Sequence, residues 1–455
     1  MGRGTPPKDL ENDRKTAIME VKPFKAFRFA PHVVGDVGRC IAPPYDVISD
    51  EDREELYQRS EHNIVRITRG RTNPSDNGQD NQYSRAAEYL KKWISEGALQ
   101  QDEKEAIYGY VQDYELGGTT FQRLSFIAQG KLEDFGRTVR PHEQVFAKPM
   151  LDRLNLKKAT AARFGLVFML YDDPQGVADG IIAKAATQDA LVDFVDDQSV
   201  RHRLFGITDP QETAAITSMM AEKSCIIADG HHRYTTGLTY MRESGNPTAR
   251  YQMLAFTNSA QEGLVVLATH RVVGGIDGFE PQEFLLRLTP GFTVMKFGFG
   301  SNAESKESAK QDMLATMRAV HDRGVTALGL YMGHGNFHVA VLEDKSLMKA
   351  AVPEKSDAWR ELDVAVLQKL ILERLLGLNG ETMGDPKFVK YVKDRPNAID
   401  KVIAQIDAGR KQVAFFTNPV KMQQLTKVTE AGERMPHKST YFYPKMYTGL
   451  TIQKL

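Results

Sequence analysis

An apolar run, Ile226-Ile227-Ala228, empties without a break into Asp229-Gly230-His231-His232-Arg233. No other stretch limits the local fold so tightly. Residues 224–228 read as a short buried strand, and residues 235–240 carry leucine and tyrosine at helical spacing. The chain must therefore turn sharply between them, and Gly230 supplies the backbone freedom. Two imidazoles and a guanidinium then sit at a helix N-terminus, where backbone N–H groups lack partners and the dipole favours anions. Asp229 is placed to hold a histidine in one tautomer, accept a proton or carry Mg²⁺. Turn chemistry alone also explains an Asp and a Gly, and adjacent histidines can cap a helix. Metal binding by the histidine pair fits the spacing less well, since neighbouring residues on a helix diverge by about 100°.

Length and charge narrow the classes. At 455 residues the chain exceeds one ordinary core. The expected organisation is a disordered polar leader over residues 1–21, a first region over 22–275, and a second α/β region over 276–455 whose C-terminal tail packs back on the body. The 59 Lys and Arg balance the 59 Asp and Glu, which argues against a broad nucleic-acid surface. No window is apolar enough for a membrane span. The two cysteines, Cys40 and Cys225, make no metal or redox spacing, so a cytoplasmic location is the expectation. Oligomeric state is not readable.

Four further segments concentrate functional side chains. Residues 42–47, Ala-Pro-Pro-Tyr-Asp-Val, form an extended loop presenting Tyr45 and Asp46. Arg140-Pro141-His142-Glu143 follows a hairpin signalled by Gly117-Gly118, with Arg140 suited to phosphate and His142 or Glu143 to accepting a proton. Thr269-His270-Arg271 repeats the theme of an apolar strand ending in a His-Arg pair, which makes Arg271 a second anion ligand or a surface charge. The tail over residues 435–445 is aromatic and proline-fixed, so it is expected to pack, with Lys438 and Lys445 available to phosphate. Elsewhere, residues 33–34 and 64–67 read as short strands and residues 363–376 as an apolar helix.

Together these five segments resemble the bacterial and archaeal domain-of-unknown-function family numbered 1015, over nearly the whole chain from about residue 22. The Asp-Gly-His-His-Arg core is also similar to the signature of the ParB and sulfiredoxin superfamily, including its free-serine kinases. That resemblance implies an α/β (α+β) fold: a ParB/sulfiredoxin-like nucleotide-binding core with an additional mixed α/β region. Carried over by position, Asp229 orients metal or substrate, His232 and Arg233 hold phosphate, and Gly230 permits close approach. Two departures stand out. His231 occupies the place of the sulfiredoxin cysteine, so reductase chemistry is not expected, and the glutamate base of the serine kinases has no matching position.

The leading expectation is a phosphotransferase using ATP or ADP with Mg²⁺ on a small hydroxyl-bearing metabolite such as free serine. Phosphoryl transfer needs mainly positioning and charge neutralisation. Asp229, His232, Glu143 and Asp46 form the expected catalytic set, with Mg²⁺ on Asp229. Gly230, His231, Arg233, Arg140, His142, Arg271, Lys438 and Lys445 form the expected nucleotide-binding set. A nucleotide-binding switch without metabolite chemistry is the alternative, and a metal-dependent hydrolase built on His231, His232, Asp229 and His142 is the third.

Overall fold

The computed structural model describes residues 19–136, 138–145 and 147–455, with the backbone alone at 147 and 148. The polar leader expected over 1–21 lies, as far as residue 18, outside the described residues. Its last residues are built into the fold: Met19 and Val21 are buried, and Val21–Lys22 (β1) pairs antiparallel with Lys131's strand at Gly130 and Gln129.

A large mixed sheet forms the first layer. It contains β1, β2 (Ile107–Leu116), β3 (Thr119–Lys131), β4 (Val139–Pro141), β5 (Val167–Tyr171), β6 (Val192–Val195), β7 (Arg201–Ile207), β8 (Cys225–Asp229) and β9 (Tyr251–Asn258). Their spatial order is β4-β8-β5-β9-β3-β2-β7-β6, with β1 added on β3. Pairing is parallel for β4/β8 and β5/β9 and antiparallel elsewhere. The hairpin at Gly117-Gly118 joins β2 to β3, both glycines having positive φ.

Central strands here are apolar on both sides because both faces are covered. On β8, Cys225 and Ile227 pack with Ile182, Ile216 and Leu238 on one face. Ile226 and Ala228 face the opposite core, which includes Met446, Leu450 and Ile452 from the tail. The C-terminal tail thus packs on the sheet, and its strand Tyr441–Tyr443 pairs with Val265–Leu267.

A second, antiparallel sheet contains β10 (Thr269–Val273), β11 (Phe292–Gly298), β12 (Ala327–Tyr331), β13 (Asn336–Leu342), β14 (Val389–Lys393) and β15 (Val413–Phe416), in the order β11-β13-β12-β15-β10-β14. β10 pairs with β14 and β15, so residues 269–273, placed with the first region by a junction at 275, lie in the second sheet.

Two expected strands are helical. Residues 64–67 fall in the turn Val65–Thr68, because Asn63 accepts from the Val65 amide at 3.0 Å and Thr68 Oγ1 donates to the Ile64 carbonyl. Local side-chain bonding of this kind overrides the β preference of Ile and Val. Residues 33–34 belong to the helix Pro31–Val34, started by its proline. The apolar helix expected over 363–376 begins as Asp363–Val366 and continues as a π-helical stretch, Leu367–Leu375.

Candidate functional site

The turn after β8 is built as its residues dictate. Gly230 has φ of 91° and precedes the helix His231–Ser244 (α1), whose N-terminus has no side-chain cap. The Arg233 side chain folds back over it, so that a Cβ on Gly230 would stand 3.0 Å from Arg233 Nε. Arg233 donates to the Leu166 carbonyl and lies 3.6 Å from the Asp229 carboxylate. Asp229 Oδ1 accepts from the Gly230 amide at 2.9 Å. Its other oxygen accepts from Lys445 Nζ at 3.1 Å. Burial opposes ionisation of Asp229, but Lys445 and Arg233 outweigh it and hold the carboxyl well below the usual range. In turn, burial favours the neutral amine of Lys445, and Asp229 overrides that to keep it protonated.

The parallel register of β4 on β8 sets Arg140 beside Ile226 and Pro141 beside Ile227, which delivers His142 and Glu143 to the same turn. His142 Nδ1 donates to the Ile227 carbonyl at 2.6 Å, and its Nε2 accepts from the Thr440 hydroxyl at 2.8 Å. His231 Nε2 accepts from the amides of His142 and Glu143 at 3.2 and 3.3 Å. Burial pushes His142 down to about 4 and His231 well below its ordinary value. Both rings are therefore neutral, buried and committed to backbone and Thr440. They hold the site together: both ring nitrogens of His142 and the Nε2 of His231 are committed, while His231 also lines the cavity described below.

Two arginines also stand outside the cavity. Arg140 bonds Ser224 Oγ at 3.2 Å and pairs with Glu430 at 3.5 Å. Arg271 is buried and donates to the carbonyls of Thr269 and Lys438. That second bond braces a backbone turn in which Lys438 has φ of 55°. Neither guanidinium lines the cavity, although Arg140 Nε has no partner among the described residues.

The remaining candidates meet in one cavity of about 210 Å³. Tyr45 and Asp46, Glu143, the 228–233 turn, and Lys438, Thr440 and Lys445 of the tail line it together. Four motifs far apart in sequence thus share one cleft. His232 is half-buried there, its ring lowered first by burial. Glu143 is pushed up to about 7, by burial and then by Asp229 and Asp46.

Residues 21–365 match the model of the family described as protein of unknown function, DUF1015. The chain belongs to the DUF1015 family. No curated protein matches it. Among solved structures it is similar to a free serine kinase in complex with AMP (12% identity, TM-score 0.33, covering 67% of this chain and 84% of that one). It is likewise similar to a conserved hypothetical protein from Pyrococcus furiosus (13%, 0.31, 68% and 89%). A third likeness is to SbnI with a C-terminal truncation from Staphylococcus aureus (10%, 0.32, 70% and 84%).

In this DUF1015 chain the second sheet adds site residues that sequence reading missed. Tyr391 and Lys393 come from β14, because β10/β14 pairing sets Lys393 opposite Thr269. Burial, then Lys445 and Arg395, press Lys393 down to about 8. Lys393 and Lys445 both lie over the Tyr441 ring, at 4.3 and 4.4 Å. The alternating Val-Lys-Tyr-Val-Lys of residues 389–393 marks a strand, but nothing local says where its lysine goes.

The cavity's charge is lopsided. Arg233, Lys393, Lys438 and Lys445 face Asp46, Asp229 and a Glu143 that is half protonated near neutrality. Among the described residues no group of three His, Cys, Asp or Glu side chains is arranged to hold a metal ion, and no helix is long and apolar enough to cross a membrane.

Proposed function

We propose that this cavity binds the phosphates of a nucleotide and transfers one to the hydroxyl of a small metabolite. The observation that supports it is the uncapped N-terminus of the fourteen-residue α1 opening into a cleft lined by Arg233, Lys393, Lys438 and Lys445. Backbone N–H groups at a helix start and clustered cations are the two commonest hosts of phosphate oxygens. The crowding of Lys393 by its neighbours is relieved when an anion enters.

Glu143 is suited to the base role. A carboxylate titrating near 7 is ionised often enough to accept a proton and basic enough to draw it from a hydroxyl. The acceptor hydroxyl gives its proton to Glu143, its oxygen bonds the terminal phosphorus, and the bond to the bridging oxygen breaks. The nucleoside phosphate leaves with that electron pair, and Lys445 and Arg233 neutralise the charge. Asp229 positions both cations. His232, at the second position of α1, is suited to contacting a phosphate.

Mg²⁺ at Asp229 itself fits poorly, since both its oxygens already accept, one of them from an ammonium. Asp46, exposed at the cavity edge, is the carboxylate suited to an ion carried in on nucleotide phosphates. Such an ion would supply further charge neutralisation.

Thermal melting with ATP, ADP and pyrophosphate, each with and without Mg²⁺, tests the reading. A ligand at a hundred times its Kd adds about 2.7 kcal/mol of stability. No shift with any of the three overturns it. A shift with no turnover across hydroxyl compounds replaces transfer with a nucleotide-binding switch.

A further inference from the structure

Arg233 and Tyr45 also wall a second, smaller cavity of about 60 Å³. Its lining holds three guanidiniums, Arg153, Arg163 and Arg233, the amine-bearing Lys157, and no Asp or Glu. The three guanidiniums are held by the protein, although Arg163 Nε has no partner among the described residues. Arg153 pairs with Asp152 at 2.5 Å and donates to the Thr68 carbonyl. Arg163 donates to the carbonyls of Tyr251 and Ala249, and Arg233 is held as described.

Lys157 is different. It is 8% exposed and has no hydrogen-bond or ion-pair partner among the described residues. Burial, then Arg163, push its amine well below the ordinary lysine value. A buried amine without a partner costs stability that Leu or Met at the same position would not. Lys157 lines the cavity, where an arriving anion would give its amine a partner. The rest of the wall mixes apolar Leu156, Ala162 and Phe164 with Tyr45, Thr68, Thr236, Gln252 and Thr448. The space, about 60 Å³, takes a carboxylate on a short carbon stem and little more, with the apolar part of the wall to receive the stem.

We infer that this cavity seats a carboxylate of the acceptor through Lys157, so that the substrate is a small hydroxy acid or hydroxy amino acid. The word acceptor rests on the phosphotransferase reading, whereas the anion site itself does not. Arg233, shared by both cavities, then sits between the carboxylate end and the phosphate end of the reacting pair.

Calorimetric titration of the full chain, with and without saturating ADP, decides it. The probes are acetate, D-glycerate and L-serine, with glycerol and L-serinamide as counterparts lacking the carboxylate. The acids should bind at least tenfold more tightly than their counterparts. Binding at pH 8 should take up a proton, read by repeating the titration in buffers of different ionisation enthalpy. Lys157→Met should lose at least tenfold in acid affinity and lose the proton uptake, while binding ADP as the natural chain does and melting no lower. Equal binding of acids and counterparts, or acid binding unchanged in Lys157→Met, overturns the inference. Acid binding without ADP binding sinks the phosphotransferase reading and leaves the carboxylate site standing; ADP binding without acid binding does the reverse.

Discussion

The Lys445 ammonium meets the Asp229 carboxylate at 3.1 Å across 216 positions of sequence. One partner ends a central strand and the other lies in the tail, so this pair ties the two ends of the site together. Both side chains are largely shielded, at 13% and 20% exposure. Lys445→Met should therefore cost about 3 kcal/mol in urea unfolding, at the lower end for a partner removed from a buried pair. Adding Asp229→Asn should recover part of that loss, since the uncompensated charge goes with it. Asp229 is depressed in the folded state, so its contribution is full above the ordinary carboxylate range of about 4 and fades below it. The gap between Lys445→Met and the natural chain should narrow there. An equal cost at pH 3 and pH 7 would contradict this account.

Glu143 should set the pH dependence of turnover. With its carboxyl pushed up to about 7, kcat/KM is expected to rise as pH increases through 7. Glu143→Gln should lose at least about a hundredfold, the usual scale of general-base catalysis, and lose that rising limb. The raised carboxyl also burdens the folded state at high pH, so Glu143→Gln should be more stable relative to the natural chain at pH 8 than at pH 5.

The two buried imidazoles have the opposite sign. His142 is lowered to about 4 and His231 further, while the unfolded rings titrate near 6.5. Their contribution is full above about 6.5 and is lost as pH falls toward 4. Measured in the Glu143→Gln background, where the counteracting carboxyl is gone, stability should drop by a few kcal/mol between pH 7 and pH 4. A flat profile would show that the rings charge in place.

His231→Leu tests whether that residue serves the fold or the ligand. It strips the acceptor from the amides of His142 and Glu143, at about 1–3 kcal/mol for buried groups left unpaired. The melting temperature should fall with no ligand present. A variant as stable as the natural chain, yet weaker for nucleotide, would return His231 to the phosphate set.

Gly230→Ala should destabilise by about 1–2 kcal/mol, since φ of 91° is costly for any residue with a Cβ. The new methyl also presses on the Arg233 guanidinium, so nucleotide affinity should fall with it. Differential melting in the presence and absence of ADP separates the two effects.

Much of this was legible in residue order. The strand, glycine turn and helix at 225–244 follow from an apolar run, a residue free to take positive φ, and polar residues at helical spacing. The Gly117-Gly118 hairpin and the packed aromatic tail follow from similarly local rules. The membership of Glu143, Asp46, Lys438 and Lys445 in a chemically active set could be suspected because charged groups gather there beside proline and glycine. Residues 64–67 were misread because β-branched side chains favour strands, whereas Asn63 captures the local backbone and starts a turn.

Which of two equivalent-looking groups faces the ligand is another matter. Arg140, Arg233 and Arg271 look alike in sequence, and only packing assigns Arg140 to Glu430, Arg271 to carbonyls and Arg233 to the cavity. His231 and His232 are neighbours, yet the 100° step of the helix buries one against the β4 loop and leaves the other half-buried. Lys393 and Lys157 gave no signal, because their importance lies in what strand pairing and helix packing bring beside them. Local dihedral preference and apolar spacing act over a few residues, so the sequence by itself determined the turn and its chemistry. Ion pairing, burial and the shared cleft depend on distances between segments hundreds of residues apart, and only the tertiary structure decided those.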